Sequence, residues 1–450
     1  MSSSDNRTQE ADEPIRPLYR RLPHGPCKLS PEEVKRNQRA RLLGAMTEAI
    51  GKHGYERVTV QEVIGLAGVS RRAYYELFAN KQQCFLATFD RLDESLLASV
   101  QAACAASPGD VEDRLRASLG ALADRTAAEA KGTRMLMLEG PVAGEQGLRH
   151  HHQATARFER ILIEALKRRP QAPGVPRPLI RAIVGGLHGA FSDCLRDGAL
   201  QELDDVVEHL VSWTLACAAP PPPLPRRLPQ AVARDGAGLP VPAGSGPRAS
   251  APSVEGCECD ERARLLEQVL LLAAAIPFDE VTAVLIADEA GVPIESFTGL
   301  FTDKQDCFCA AIDAFAGELE TLVSDSGPHA GDWPRQLRHK IGELTWHLAA
   351  HPQFTRAIVI EALWAGPLAR QRSLAVAPKL AELLTAGAPE TPHAGIVTPL
   401  VAGAIWHTIR CHALADQIRE LPLIADQLTY ILLAPLMGAD NAAAALAQAA

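Results

Sequence analysis

The sequence predicts an all-α protein built as two tandem helical units. Three observations carry this. Long stretches are rich in Ala and Leu, the strongest helix formers, with few β-branched runs to compete and aromatics at only 5%. A Pro- and Gly-rich tract between Ala218 and Glu255, including Pro220-Pro221-Pro222-Pro223, cannot build a core and reads as a linker. The segments on either side of it repeat. Placing Arg39 on Arg262 aligns Arg39–Ala87 with Arg262–Ala310 without a gap, with 17 identities in 49 positions.

The identities include Gly, Thr, Phe, Lys and Cys, so Ala-rich composition does not explain them. Arg39-Ala40-Arg41-Leu42-Leu43 recurs from Arg262 to Leu266, and Ala67-Gly68-Val69 recurs as Ala290-Gly291-Val292. Leu77-Phe78, Lys81-Gln82 and Cys84-Phe85 recur as Leu300-Phe301, Lys304-Gln305 and Cys307-Phe308. Weaker similarity follows: Arg134–Glu139 resembles Arg356–Glu361, and Val184-x-Gly186 resembles Val401-x-Gly403.

At 450 residues the chain exceeds one ordinary core. The expected segments are a disordered basic arm (1–29), a helix-turn-helix domain (30–98), a helical domain (99–217), the linker (218–255), a second head (256–320), a second helical bundle (321–438) and an Ala-rich tail (439–450). The longest apolar run, Val269–Ile276, is too short for a bilayer, and the polar N-terminus is no signal peptide. No membrane partner is expected. Ten scattered cysteines in a chain this long suit a reducing cytoplasm. A net charge of −9 disfavours generic polyanion binding but leaves room for a local basic face.

The first head parses in order. Ser30-Pro31-Glu32-Glu33 is a capping box with Pro at the first helical position, and its helix should end near Gly51–Gly54. Thr59-Val60-Gln61-Glu62 opens a short helix, Gly68 breaks it, and Ser70 caps the next, from Arg71 to about Leu77. Asn80 can cap a fourth helix with Lys81 in its first turn. Short helix, Gly turn, short helix is the helix-turn-helix pattern, whose second helix enters the major groove. Here that helix carries Arg71, Arg72, Tyr74 and Tyr75. Arg suits guanine edges or phosphate, and Tyr suits phosphate or sugar. Tyr74 fits a core position equally well.

The run Thr59-Val60-x-Glu62-Val63-Ile64-x-x-Ala67-Gly68-Val69-Ser70-x-x-Ala73-x-Tyr75-x-x-Phe78-x-x-Lys81 resembles the DNA-binding domain of TetR-type regulators, over roughly residues 38–98. The resemblance implies phosphate contacts for Tyr75 and Lys81, and base reading for Arg71, Arg72 and Tyr74, with Thr59 and Ser70 beside them. It also implies a helical region at 99–217 that binds a small apolar effector and dimerises, often through a four-helix bundle. The implied function is a ligand-responsive repressor acting on a double-stranded DNA operator, with no enzymatic activity and no cofactor. The other class of reading is a helical protein-interaction module with relic heads.

The second head departs from the pattern. Ser70, Arg71 and Arg72 become Pro293, Ile294 and Glu295, while Tyr74 and Tyr75 become Phe297 and Thr298. Residues 39–81 hold seven basic and four acidic residues, against three and seven in residues 262–304. Phosphate neutralisation drives most non-specific DNA affinity. A retained fold without DNA binding is therefore expected there, and with it an intramolecular pseudo-dimer, a homodimer being the other pairing. Arg16, Arg20 and Arg21 of the arm are candidates for minor-groove contact. His150-His151-His152 reads as a solvated turn, since adjacent helical histidines diverge, and Cys257-x-Cys259 lacks a second ligand pair.

Overall fold

The computed structural model of the chain describes residues 30–167, 175–218, 254–324, 332–389 and 394–448, by backbone alone at 254–259, 394–396 and 448. The arm with Arg16, Arg20 and Arg21, and nearly all of the linker, lie outside the described residues. So do the Cys257 and Cys259 side chains. No strand occurs among the described residues.

The first half runs α1 (Pro31–His53), α2 (Val60–Ala67), α3 (Arg71–Leu77), α4 (Lys81–Ala106), α5 (Val111–Ala128), α6 (Ala130–Arg134), a π-helical turn at Met135–Glu139, α7 (Gly144–Ala165), α8 (Arg177–Asp197) and α9 (Leu203–Ala218). After the linker come α10 (Val254–Ala275), α11 (Ala283–Ala290), α12 (Ile294–Leu300), α13 (Lys304–Ser324) and α14 (Trp333–Ala350). Then follow α15 (Pro352–Val359), α16 (Pro367–Thr385), α17 (Ala394–Leu414), α18 (Ala425–Met437) and α19 (Ala439–Gln448). Helices α2, α3 and the start of α4 recur as α11, α12 and the start of α13, at the offset of the sequence repeat. The last segment, expected as a tail, is helical and buries Ala442 and Leu446, in keeping with the helix propensity of Ala.

The chain resolves into two compact units, Met1–Ser99 with Asp124–Ala154, and Val100–Ala123 with Thr155–Ala450. These do not follow the split at the linker. In the first unit, Leu42, Met46, Ile50, Val63, Phe85 and Phe89 form one core that also takes in Met135 and Leu136 of the π turn. The three histidines expected in a solvated turn lie on helix α7. His150 Nδ1 is 2.6 Å from Asp90 Oδ1, and the buried His151 has Nδ1 3.0 Å from the Leu136 carbonyl oxygen. The apolar positions of α7 turn this face inward, which a reading of three adjacent polar residues could not show.

In the second unit, α8 and α9 pack with α17 and α18. The α8–α17 crossing is made by small residues: Gly185, Gly186 and Gly189 lie against the backbone of Leu400, Gly403 and Ala404. Ile418–Met437 is long and apolar enough to cross a membrane by composition, but half of it is buried inside this unit, as in core helices of soluble folds.

Candidate nucleic-acid interface

Helix α1 starts at the predicted capping box: Glu33 N donates to Ser30 Oγ at 3.3 Å and Ser30 N donates back to Glu33 Oε2 at 2.7 Å. Thr59 is extended and its hydroxyl accepts from Glu62 N at 3.2 Å, opening α2. Glu62 faces His53 (3.2 Å). At the end of α2 the backbone turns through Gly68 at φ 58°, ψ 41°, a left-handed conformation that favours Gly. Ser70 then accepts from Ala73 N at 3.2 Å and starts α3. Phe78, back in an extended conformation, ends it, and Asn80 Oδ1 accepts from Gln83 N at 2.8 Å at the start of α4.

The turn is clamped from behind. Arg41, buried on α1, donates from one guanidinium nitrogen to the carbonyls of Ala67 and of Gly68, the latter at 2.8 Å. These are carbonyls that the end of a helix leaves without an intrahelical partner. The angle between α2 and α3 is therefore held by α1.

The predicted site residues divide into three groups. Arg71, Arg72 and Tyr75 stand on the exposed face of α3, with the Arg72 side chain 90% and Tyr75 47% exposed. Arg71 lies over the Tyr75 ring at 5.8 Å. Arg72 Nε donates to Glu76 Oε1 at 2.9 Å, an exposed pair worth only about 0–1 kcal/mol and open to competition from an anion. Thr59 and Ser70 are exposed and serve as caps.

Tyr74 corrects the expectation. Its side chain is 0% exposed, and its hydroxyl donates to the Asn80 carbonyl at 3.2 Å. The ring packs edge-on to Tyr75 and tilted against Phe78. Burial pushes its phenol well above the usual tyrosine value, so it stays neutral. Tyr74 is core. On a seven-residue helix one of two adjacent tyrosines must face inward, and only packing says which.

Lys81 forms the third group. Its ammonium donates to the Tyr55 carbonyl at 2.9 Å and lies 4.3 Å from the centre of the Tyr55 ring. Burial lowers its pKa from the ordinary lysine value. Arg41 and Tyr55 were not singled out from the sequence as site residues. The signal was present in the repeat, because both positions keep their character in the second copy, as Arg264 and Phe278.

There, the scaffold is rebuilt contact by contact. Arg264 donates to the Ala290 and Gly291 carbonyls, both at 3.1 Å. Gly291 is left-handed at φ 61°. Lys304 donates to the carbonyls of Phe278 (2.8 Å) and Val281 (2.7 Å), with the Phe278 ring at 5.0 Å. Phe297 takes the buried place of Tyr74 at 1% exposure. Pro293, Glu295 and Thr298 stand where Ser70, Arg72 and Tyr75 stand in the first head. Clamps and core are repeated and the exposed cations are not.

In a helix-turn-helix the second helix is the one that enters the major groove, and here that helix presents Arg71, Arg72 and Tyr75 to solvent. Residues 42–88 match the family model of bacterial regulatory proteins of the tetR family. The chain is 30% identical over 99 residues to the HTH-type transcriptional activator FasR of Mycolicibacterium smegmatis, which is 22% of this chain and 45% of that relative. The match thus spans about half the length of that protein. Among solved structures, a TetR-family transcriptional regulator from Streptomyces coelicolor is 24% identical, with 41% of this chain and 96% of that one covered and a TM-score of 0.35. The transcriptional regulator FadR from Bacillus subtilis, solved with stearoyl-CoA, is 17% identical over 38% of this chain and 97% of that one, also at 0.35.

Proposed function

We propose that the chain is a DNA-binding, ligand-responsive transcriptional regulator that reads one operator half-site with the head at residues 30–98. The observation that carries this is the exposed set Arg71, Arg72 and Tyr75 on a helix whose angle is fixed by Arg41. Thr59 and Ser70 border it, and Lys81, held on Tyr55, sits at its rim. Tyr74 is left out of the DNA-facing set because it is buried. The arm residues Arg16, Arg20 and Arg21 extend the footprint into the neighbouring minor groove. The protein works in the cytoplasm, and the effector, a small apolar molecule, binds within residues 99–217.

The second half is a duplicated copy that supplies the dimer partner from within the chain. What supports this is the pairing of α8 and α9 with α17 and α18, together with the contact-by-contact recurrence of the head scaffold. Tethering raises the partner's effective concentration to about the millimolar range, which favours internal pairing over a second chain.

Selecting duplexes from a random pool with the full chain tests the reading. The expected product is a single asymmetric half-site, with a monomer in light scattering. A two-chain dimer on a perfect palindrome, contacted equally by both Arg71–Lys81 segments, defeats the internal pairing. A reporter driven by the bound promoter separates repression, the expectation from sequence, from the activation named for the mycobacterial relative.

A further inference from the structure

The two copies also differ away from the reading helices, where the last helix of each head runs on toward the helix that follows it. Helices α5 and α14 are both 18 residues long. Placing Val111 on Trp333 puts the core residues Leu115, Leu119 and Leu122 on Leu337, Ile341 and Leu344. It also puts Arg125 on His347 and Glu129 on His351. The register of the heads carries Ser95 onto Glu318, with Leu96 and Val100 on Leu319 and Val323. In the first copy a guanidinium fills this place. Arg125 Nη2 donates to Ser95 Oγ and to Glu129 Oε2, both at 3.0 Å, and so ties α4 to the end of α5. In the second copy that cation is gone, and three side chains able to ligate a metal stand at the same positions.

We propose that Glu318, His347 and His351 bind one divalent transition-metal ion of the zinc class, which ties α13 to α14 as Arg125 ties α4 to α5. Glu318 Oε2 and His347 Nε2 face each other at 3.7 Å. Both atoms are buried, and neither has a hydrogen-bond partner among the described residues. Buried polar atoms are seldom left so, and an ion between them is one of the few reasons they can be. Two atoms that ligate one zinc at about 2.0–2.2 Å and the tetrahedral angle stand about 3.3–3.6 Å apart, close to the separation here. His351 lies one turn on from His347, with ring centres 4.8 Å apart. Histidines four apart share a helix face, the spacing that zinc-binding helices use. Two imidazoles and a carboxylate make a zinc donor set that leaves the fourth position to water. Phe315 packs on both imidazoles, with centres at 5.6 and 6.4 Å, and gives the site an apolar wall. The three side chains do not close around a common point as they stand. The His351 ring lies flat on Phe354 at 5.5 Å, and closing the site turns it toward Glu318. His351 is only partly buried, so that turn does not displace a packed core. The ion makes the hold of the second head's last helix on α14 conditional on metal, whatever the first head reads.

The test uses the full chain, stripped with a chelator and then titrated with Zn²⁺ or Co²⁺. One ion per chain is expected at this site, with a melting temperature that rises on zinc addition. Cobalt should give the visible absorption of a tetrahedral site. Glu318→Gln, which keeps the shape and removes the charge, and His351→Gln should each lose that ion and the cobalt spectrum. The triple change Glu318→Ser, His347→Arg and His351→Glu transplants the bridge of the first copy. It should melt near the zinc-loaded wild type and ignore zinc. If the stripped chain takes up no zinc, or both Gln variants bind it as the wild type does, the proposal is overturned. It is equally overturned if Glu318→Gln lowers the melting temperature as much without zinc as with it. That result would make Glu318 and His347 an ordinary ion pair.

Discussion

Gly185 on α8 and Gly403 on α17 meet so closely that a Cβ placed on Gly185 would lie 2.6 Å from the Gly403 carbonyl oxygen. The two residues are on opposite sides of the linker. Their contact joins the two halves of the sequence with no side chain between the helices, and Gly189 extends it, its Cβ position lying 2.5 Å from the Pro399 carbonyl oxygen.

This seam leads to the first prediction. Gly403→Leu forces two backbones apart in a packed interior, at a cost of roughly 1–3 kcal/mol or more. The expected result is a lower melting temperature, with residues 155–218 gaining hydrogen exchange alongside the second half. Unchanged exchange in α8 and α9 would mean that the two halves do not depend on this crossing.

The reading helix gives the second. Arg71→Ala with Arg72→Ala should abolish discrimination among operator variants, since each good bidentate base pairing is worth roughly 1–3 kcal/mol. Tyr75→Phe should weaken all sequences alike. Footprinting with unchanged protection by the double Arg variant would show that α3 is not the reader.

Tyr74 separates core from interface. Tyr74→Phe removes one hydroxyl hydrogen bond, about 0.5–1.5 kcal/mol of stability, and should leave DNA affinity intact, as the native Phe297 suggests. Tyr74→Ala should cost about 3–5 kcal/mol and unfold the head first. A Phe variant with native stability but lost operator binding would return this residue to the interface.

The Arg41 clamp is expected to resist conservative change. Arg41→Lys keeps the charge but exchanges the guanidinium, one nitrogen of which reaches both the Ala67 and Gly68 carbonyls, for a shorter side chain ending in a compact ammonium. Leaving a buried carbonyl without a donor costs about 1–3 kcal/mol, so both Arg41→Lys and Arg41→Met should lower head stability. Denaturant melts followed by Tyr fluorescence check this, and wild-type stability in Arg41→Lys would count against the clamp.

Acid should weaken the second unit. Burial lowers the pKa of His412, whose Nδ1 lies 2.8 Å from the Thr408 carbonyl, and burial followed by the His347 charge lowers that of His351. With folded values below the unfolded imidazole value of about 6.5, the unfolded state binds more protons as pH falls through that value. Stability should therefore be full above about pH 7 and decline as pH falls through the window between the two values. Thermal melts at stepped pH check it, and His412→Gln should flatten the decline.

Much of the first head was legible in the chain itself. Local signals sufficed there: Ser30, Thr59 and Ser70 cap helices through bonds to near neighbours in the chain, and Gly68 meets a backbone demand few other residues satisfy. The sequence likewise shows that Ile294–Leu300, the segment aligned with α3, lacks its arginines, because which side chains are missing needs no structure to read. Tertiary structure decided what depends on partners distant in sequence. It turned Tyr74 inward, since two adjacent tyrosines carry the same local signal and only the core chooses between them. It put Arg41 behind a turn far along the chain from it. It set Gly185 against Gly403, a pairing with no local signature, because close approach of two helices is a property of both surfaces at once.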